Sequence, residues 1–467
     1  MSAHLDEVLL RQSLDAAGFT EVAAARYRSL LDEAHEALDA GGVGRDGRRA
    51  WIAPGRIEVL GKHVDYAGGR SLLCTVERGI VMVVRPRNDG VVTVRDARRR
   101  EVLTLPVHAL PKKGQVPWSV YPRTVIQRLV HNFGDAVRGA DIALASNLPP
   151  AAGVSSSSAL TVGLTSALTA ISDINALPAW RTTITDRAAF AGYVGALENG
   201  TTFGALTGER GVGTMGGAQD QTAILCSAPG RLDVFAWAPV RHERSVPWPA
   251  THCFVVGVSG VIAAKTGSAK ERYNRAARTA HHLVAAWNVG AGMPAPARTL
   301  REVFEQAAFQ AGPDGVVGEV PASLIDFARR SATDEFSAHH LVARLEQFFD
   351  ETYALVPGAA EALNRGDVAA FGAVVDRSQA GAERALENQI AETVHLQRYA
   401  RELGANAASA FGAGFGGSVW AMISRDDAET FMGRWRDRYQ RVHPKAAARA
   451  TFFVTSPSPP AFEVVDA

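Results

Sequence analysis

Three loops rich in glycine or serine have the composition to approach a phosphate group. The first, residues 147–160, places Gly153 ahead of four serines, Ser155–Ser158, and leads into an apolar stretch of helical spacing. Backbone N–H groups at a helix N-terminus bind anions, and serine hydroxyls add donors to phosphate or an oxygen ligand to Mg²⁺. The apolar helix that follows favours a phosphate-binding loop over a flexible Ser/Gly linker.

The second loop, residues 411–418, carries Gly412, Gly414 and Gly417 at the spacing G-x-G-x-x-G. In a dinucleotide-binding fold a helix follows such glycines directly, whereas Val419–Ile423 is typical of a strand. We therefore reject a nicotinamide cofactor. The pattern predicts a tight loop whose backbone closely approaches a ligand or another strand.

The third loop, residues 211–217, precedes Asp220, which stands between two glutamines. An aspartate after a run of glycines is either a helix N-cap or a carboxylate that the loop brings to a substrate. The sequence has no G-x-x-x-x-G-K-[ST] loop and no protein-kinase motifs. Any phosphate is therefore bound by a different arrangement.

The composition argues against several classes of protein. The chain has 467 residues, 47% of them hydrophobic, and its formal net charge of +1 gives no electrostatic case for nucleic acid or anionic membrane as partner. Three widely spaced cysteines, Cys74, Cys226 and Cys253, exclude a disulfide scaffold and a cysteine-based zinc site. We expect a soluble, cytoplasmic protein, because neither a secretory signal nor an apolar run of about 20 residues is present.

Mixed helices and strands must position the three loops, and the length favours two domains. Hydrophobic patterning predicts strands between residues 51 and 104 and helices over residues 1–48, 117–133 and 157–173. A Pro- and Gly-containing stretch then separates an N-terminal domain, residues 1–229, from a more helical C-terminal domain, residues 230–467.

Residues 54–72, read with the three loops, resemble the ordered motifs of the GHMP small-molecule kinases. This segment is similar to the galactokinase pattern G-R-x-N-L-I-G-E-H-T-D-Y-N-G-G. The matching positions are Gly55, Arg56, Gly61, His63, Asp65, Tyr66, Gly68 and Gly69. Residues 117–127 and 265–275 resemble two further motifs of that branch. The resemblance implies an α/β (α+β) fold of two domains, with Mg·ATP bound in the cleft between them.

By this resemblance, the motifs supply the parts of a sugar-kinase site. Asp220 is the base that takes the proton from the sugar hydroxyl, and Arg56 stabilises charge at the transferring oxygen. The expected sugar-binding residues are Lys62, His63, Asp65, Gly217 and Tyr273. The expected ATP-binding residues are Trp118, Ala151, Ala152, Gly153, Val154, Ser155, Ser156, Ser157 and Gly414. The Mg²⁺ ligands implied are Ser157 and Glu198, and Glu209 competes with Glu198 because Glu198 stands farther from the base than the family spacing.

Lys62 is the departure from the motif that bears most on the substrate. Galactokinases carry a glutamate there that contacts the sugar's C6 hydroxyl, so a lysine favours either an acidic group at C6 or a side chain in solvent. Glu58 and Ala67 replace two asparagines of the motif, and extra segments lie near residues 199–213 and 277–340.

We therefore expect an ATP-dependent kinase that phosphorylates the anomeric C1 hydroxyl of galactose or a close galacto-configured sugar. The alternatives are a kinase for a sugar acid such as galacturonate, and a non-catalytic sugar and ATP sensor. The sequence does not indicate an oligomeric state.

Overall fold

The computed structural model describes residues 13–110, 116–149, 152–261, 268–290, 295–307 and 319–464. Within these ranges, twelve strands form two sheets. The larger sheet contains β1 (Arg49–Leu60), β2 (Arg70–Arg87), β3 (Val91–Asp96), β4 (Glu101–Pro106), β5 (Gly139–Ser146), β6 (Arg231–Ala236), β7 (Arg241–Pro247) and β12 (Phe462–Val464). The smaller sheet contains β8 (His252–Val258), β9 (Ala407–Phe411), β10 (Ser418–Ser424) and β11 (Thr451–Thr455).

Two long antiparallel strands, β1 and β2, organise the larger sheet. Its order is β12-β1-β2-β5-β3-β4, with β6 paired to another part of β2 and β7 beside β6. Among the strands that the structure describes, β3 and β5 are the one pair that runs parallel. Most residues of β1 and β2 are buried, which explains why apolar residues form continuous runs, such as residues 80–84, instead of alternating with polar ones.

The pairing of β1 with β2 is irregular at two points. The register shifts between Pro54 and Arg56, and again between Glu58 and Leu60. An irregularity of this kind bends a strand and redirects its side chains. Arg56 and Glu58 both reach the wall of the main cavity described below.

Besides the helical residues 13–17, fifteen α-helices with both ends among the described residues surround the sheets. They are α1 (Glu21–Ala40), α2 (Val120–Phe133), α3 (Ser156–Ile171), α4 (Pro178–Thr183), α5 (Arg187–Asn199), α6 (Gln219–Cys226), α7 (Ser268–Gly290), α8 (Leu300–Gln306), α9 (Ala322–Arg330), α10 (Ala338–Phe349), α11 (Val356–Asn364), α12 (Val368–Gly381), α13 (Ala391–Glu402), α14 (Ala428–Val442) and α15 (Pro444–Ala447). Two π-helical segments, Asp350–Leu355 and Ala382–Leu386, follow α10 and α12.

Helices cover both faces of the larger sheet. Val81 and Val83 of β2 face a core shared with α1, whereas Met82 and Val84 face the core that contains α3. This alternation is the period-2 geometry of a strand. Helix α3 therefore packs against one face of the larger sheet, and this contact positions the serine loop that precedes the helix.

Helices α7 to α10 form a cluster with a core of its own, which we call the inserted helices. Its centre is aromatic: the ring of Phe304 lies 5.8 Å from Phe348, 5.5 Å from Phe349 and 5.9 Å from Tyr353, centroid to centroid. The cluster contains the described part of the extra segment near residues 277–340.

The strands predicted between residues 51 and 104 are confirmed, as are the helices near 117–133 and 157–173. The predicted N-terminal helix is shorter: α1 ends at Ala40, and residues 1–12 lie outside the described ranges. Strands β6 and β7 join the larger sheet although they follow residue 230. The division into residues 1–229 and 230–467 stays a prediction.

We predict that Phe304→Ala destabilises the protein by about 3–5 kcal/mol, because it leaves a cavity among three aromatic neighbours. Phe304 is fully buried. Urea denaturation followed by circular dichroism measures the effect, with Val289→Ala as control because Val289 is 90% exposed in the same cluster. A loss below about 1 kcal/mol contradicts the assignment of Phe304 to the centre of this core.

Candidate active site

A cavity of about 800 Å³ lies where the motif of β1, the serine loop and the two glycine loops meet. Its wall includes most of the residues that sequence analysis singled out. They are Arg56, His63, Asp65, Trp118, Gly153, Ser155, Ser156, Ser157, Glu198, Gly217, Asp220 and Tyr273. A volume of this size is in the range of small-molecule sites.

An ion pair between Arg56 and Asp220 lies in this wall. The Arg56 Nε and Nη2 atoms are each 2.7 Å from Asp220 Oδ1, and the Arg56 Nη1 donates to the carbonyl of Gly153 at 2.6 Å. Asp220 is the second residue of α6, and Ala218 occupies the N-cap position, so the helix-cap interpretation of Asp220 is wrong. Only 4% of the Arg56 side chain and 19% of the Asp220 side chain are exposed.

The serine loop brings a hydroxyl and a helix N-terminus to the same carboxylate. Ser155 adopts a left-handed conformation with φ of 58°, directly before α3, and its Oγ donates to Asp220 Oδ2 at 2.5 Å. Ser155, Ser156 and Ser157 all line the cavity. The predicted order of loop and helix is therefore confirmed.

The side chains of Ala152 and Val154 are buried beneath this loop and are not part of the cavity wall. The carbonyl of Val154 accepts from the Arg56 N–H at 3.2 Å, and the carbonyl of Ala152 accepts from the Ser418 hydroxyl. These two residues fix the loop instead of presenting side chains. Ala151 lies outside the described residues.

The second glycine loop approaches the serine loop closely. Gly412 has a φ of 81°, and a Cβ added to it would lie 3.0 Å from the carbonyl oxygen of Gly153. Gly412 and Ala413 line the cavity. Gly414, also left-handed, packs against Asn388 and is not part of the wall.

Oxygen donors suited to a hard cation collect beside the ion pair. Glu198 on α5 is 5% exposed, and its Oε2 accepts from the Gln221 amide at 2.6 Å and from Ser158 at 3.4 Å. Ser158 also lies 3.4 Å from Asp220 Oδ2. Glu209 instead contacts Gln127 and lies outside the wall. The geometry therefore favours Glu198 over Glu209.

The described residues contain no cluster of three or more His, Cys, Asp or Glu side chains that could hold a metal ion. A carboxylate and hydroxyls at the cavity wall nevertheless fit Mg²⁺, which takes few protein oxygens and completes its shell with phosphate and water.

The first motif forms one end of the cavity. Asp65 Oδ2 accepts from the backbone N–H of Gly217 at 3.0 Å and of Gln219 at 3.3 Å. Burial, and secondarily Asp220, raise the pKa of Asp65, while these backbone hydrogen bonds oppose the shift. A Cβ on Gly217 would lie 2.5 Å from Asp65 Oδ2, so this position requires glycine.

Two aromatic groups complete this end. The His63 ring lies 5.5 Å from the ring of Tyr273, centroid to centroid, and its Nδ1 is 3.2 Å from the hydroxyl of Tyr66. Burial, with Asp65 nearby, raises the pKa of Tyr273, so its hydroxyl stays protonated. Tyr273 reaches the cavity from α7, the first of the inserted helices.

The expectations for Lys62 are wrong on both counts. Its side chain is neither in the cavity wall nor in solvent: it is 2% exposed, and its Nζ donates to Ser378 Oγ at 2.8 Å. Ser378 in turn donates to Glu351, which accepts from the Gly61 N–H at 2.8 Å. Burial lowers the pKa of Lys62, and Glu351 opposes that shift. Through these hydrogen bonds, Lys62 connects the first motif to α12 and to the π-helical segment Asp350–Leu355.

Trp118 marks the other end of the cavity. Its Nε1 donates to Glu101 Oε2 at 2.6 Å, and it lies among apolar wall residues such as Ile80, Leu144 and Leu160. An apolar surface that includes aromatic rings, here Trp118 and Tyr121, suits a flat base. Sequence reasoning missed Glu101, since no local pattern links a residue of β4 to Trp118.

Glu58 and Gln219 are two further residues that sequence reasoning left without a role. Gln219 donates from its amide to Glu58 Oε2 and accepts from Ser71 Oγ at 2.6 Å. Burial raises the pKa of Glu58 to about 7. One feature of the sequence could have pointed to Glu58: it replaces an asparagine of the galactokinase pattern.

Comparison with known proteins agrees with this geometry. Three family models match: a galactokinase galactose-binding signature over residues 42–86, the GHMP kinase N-terminal domain over residues 120–227 and the GHMP kinase C-terminal domain over residues 359–441. A galactokinase from Roseiflexus sp. (strain RS-1) is 27% identical over 89% of this chain and 92% of its own. A galactokinase from Chloroflexus aurantiacus is 25% identical, with 83% and 87% covered.

The crystal structure of Lactococcus lactis galactokinase complexed with galactose matches with a TM-score of 0.73 and 20% identity, covering 92% of this chain and 98% of that chain. A mevalonate kinase from Methanococcus jannaschii matches with a TM-score of 0.51 and 11% identity, covering 89% and 99%. The fold is thus that of the GHMP kinases, small-molecule kinases with ATP as co-substrate. Within this class, the chain belongs to the galactokinase-like GHMP kinases.

Across the described ranges, no helix has the length and apolar character needed to cross a membrane.

We predict that Glu58→Gln changes how stability depends on pH. Because the folded-state pKa of Glu58 is raised from 4.5 to about 7, the wild type loses stability as pH rises through that interval. Glutamine does not ionise, so the melting temperature of the variant should rise relative to wild type between pH 5 and pH 8. Glu361→Gln, on the exposed face of α11, is the control. A pH-independent difference between Glu58→Gln and wild type contradicts the prediction.

Proposed function

We propose that this protein transfers the γ-phosphoryl group of ATP to the anomeric C1 hydroxyl of galactose or a close galacto-configured sugar. One observation carries the proposal. Arg56 and Asp220, 164 positions apart in the chain, form an ion pair in the wall of a cavity that has a polar end at Asp65 and an apolar end at Trp118. The sugar would occupy the first end and the adenine the second.

In this proposal Asp220 is the base. Its Oδ1 is held by Arg56, and Ser155 demonstrates that a hydroxyl donor can lie 2.5 Å from Oδ2. The sugar O–H bond breaks with its proton passing to Asp220, the C1 oxygen bonds to the γ-phosphorus, and the bond to the β-phosphate oxygen breaks to release ADP. The Arg56 guanidinium keeps the carboxylate ionised and lies beside the oxygen on which charge develops.

Sugar recognition is assigned to the polar end of the cavity. Asp65 can accept from two vicinal hydroxyls, and its position is fixed by the N–H groups of Gly217 and Gln219. His63 and Tyr273 face the same space. An epimer that leaves these acceptors without a donor binds poorly, which is how such a site discriminates between sugars.

ATP binding is assigned to the serine loop, the N-terminus of α3 and the Trp118 end. The N-terminus of α3 lies at the cavity, because Ser155, Ser156 and Ser157 all line the wall. Backbone N–H groups at a helix N-terminus bind anions. The backbone around Ala152, Val154 and Gly414 shapes the loops instead of contributing side chains.

Mg²⁺ would be held by Ser157 and Glu198, with Ser158 close to the same carboxylate. When bound, the ion neutralises charge on the phosphate oxygens of ATP. The protein's own share of the work is to orient Glu198, which Gln221 and Thr161 do by hydrogen bonds of 2.6 and 3.3 Å.

The two alternative functions have less support. A galacturonate-type substrate was suggested by Lys62, whose ammonium lies outside the cavity wall. A sensor without turnover has no need of the Arg56–Asp220 pair, which the structure holds in place with three hydrogen bonds from Arg56 and Ser155.

We also infer a reducing, cytoplasmic location. All three cysteines are free thiols, and Cys74 and Cys253 are buried. Such thiols persist where disulfides do not form.

We predict that Asp220→Asn lowers kcat by about 10²–10⁴-fold, because a general base is lost while the shape of the cavity is kept. ADP release is measured with galactose, glucose and galacturonate, and thermal shift reports binding of galactose and ATP. Asp426→Asn, a change at an exposed position, serves as control. Wild type that binds both ligands but forms no ADP with any sugar would be a sensor, and equal turnover in Asp220→Asn would refute the assigned base.

We predict that Glu198→Gln raises the Mg²⁺ concentration for half-maximal activity at least tenfold, because an amide is a weaker ligand than a carboxylate. The matched variant Glu209→Gln should stay within twofold of wild type, since Glu209 lies outside the wall. A reversal of the two effects would make Glu209 the ligand.

A further inference from the structure

A second cavity, of about 190 Å³, lies among the inserted helices, the Ala382–Leu386 π-helical segment and the second glycine loop. We call it the arginine pocket. The residues that give it its character are Arg272, Arg275, His340, Arg344, Gln389 and Phe415. None of them belongs to the wall of the main cavity.

Three arginines and one glutamate, Glu387, line this pocket, and none of the arginines forms an ion pair among the residues that the structure describes. No carboxylate of that part of the chain lies within ion-pair distance of Arg272, Arg275 or Arg344, whereas Arg278 on the same helix pairs with Glu271 at 3.2 Å. Arg272 is exposed, Arg275 is half-buried and Arg344 is buried. An anion between the three guanidinium groups would relieve their mutual repulsion.

Arg344 is the buried arginine of this pocket, with only 1% of its surface exposed. Its Nη1 donates to Gln347 and its Nη2 to the carbonyl of His63, both at 2.5 Å. Its Nη2 also lies 3.4 Å from the hydroxyl of Tyr66, and all three acceptors are neutral. Its Nε is buried and has no hydrogen-bond partner. A buried cation with a spare donor and no counter-ion is costly in isolation. An anion in the pocket would remove that cost.

The other walls are arranged to receive an oxyanion. The Arg272 guanidinium lies 4.7 Å from the centre of the Phe415 ring, which fixes its plane at the mouth of the pocket. Arg275 and His340 lie on the facing helices α7 and α10. Glu387 is the acidic residue of the lining, and its exposed side chain forms no ion pair with the described arginines.

We propose that the arginine pocket is a second ligand site, and that its ligand is a phosphate dianion, either free or as a small phosphomonoester. Guanidinium groups match the several oxygens and double charge of phosphate better than a single-charge carboxylate does. The volume corresponds to roughly six water molecules at their share of liquid volume, which admits phosphate or a short ester and excludes a nucleotide.

The pocket adjoins groups that build the polar end of the main cavity. Arg344 donates to the carbonyl of His63, Tyr273 stands between Arg272 and Arg275 on α7, and Phe415 follows Gly412 in the second glycine loop. A bound phosphate would therefore contact the elements that position the sugar-binding residues, without entering the main cavity.

The test is titration calorimetry of the full chain with inorganic phosphate, glycerol 3-phosphate and acetate. A non-hydrolysable ATP analogue is kept at saturation so that the main cavity does not bind the probe. We expect phosphate to bind wild type and Arg272→Gln/Arg275→Gln to bind it at least tenfold more weakly. The matched control is Arg329→Gln/Arg330→Gln, which removes two exposed arginines of α9 and should bind as wild type does.

Tighter binding of glycerol 3-phosphate than of inorganic phosphate supports an ester as the ligand, and the reverse supports free phosphate. Acetate that binds as tightly as phosphate overturns the choice of a dianion. Phosphate that fails to bind wild type, or that binds Arg272→Gln/Arg275→Gln equally well, overturns the site itself. Phosphate binding is measured without ADP release. The arginine pocket and the kinase function can therefore be refuted independently of each other.

Discussion

The ion pair between Arg56 and Asp220 is the interaction on which the architecture of the main cavity depends. It joins a bulged strand of the larger sheet to the start of α6, and the same guanidinium binds the carbonyl of Gly153 in the serine loop. One side chain thus connects three segments that are distant in sequence. Because Arg56 is almost fully buried, its charge needs both partners, and the three segments are held at fixed distances.

Behind this pair, buried polar residues form two chains of hydrogen bonds that hold the first motif in place. One runs from Glu58 through Gln219 and Ser71 to Trp237. The other links Lys62 through Ser378 to Glu351. Each chain reaches a helix. Glu58 and Gln219 of the first chain also line the main cavity, whereas Lys62, Ser378 and Glu351 of the second do not. The charged departure from the galactokinase pattern at position 62 therefore supports the site from behind, whereas the one at position 58 both supports the motif and lines the cavity.

The inserted helices contribute one residue to the cavity wall and one hydrogen bond to the first motif. Their aromatic core is separate from the sheet cores, yet α7 carries Tyr273 into the cavity and α10 carries Arg344 to the backbone of His63. His63 has a φ of 56°, a conformation that a non-glycine residue keeps only when its surroundings fix it. The hydrogen bond from Arg344 is one such constraint. The helices thus reinforce a strained point of the sugar-binding motif.

The sequence by itself determined the local chemistry: a serine loop before an apolar helix, a glycine loop before a strand, and the residues of the first motif. The two loops are readable because each depends on neighbours within about ten positions, through backbone freedom at glycine and hydrophobic periodicity. The first motif is identified by its resemblance to the galactokinase pattern. Only the tertiary structure decided that Asp220 pairs with Arg56 instead of capping α6, that Glu198 lies at the wall while Glu209 does not, and that Lys62 points away from the cavity. Each of these outcomes depends on which distant group compensates a buried charge, and no local pattern encodes that choice.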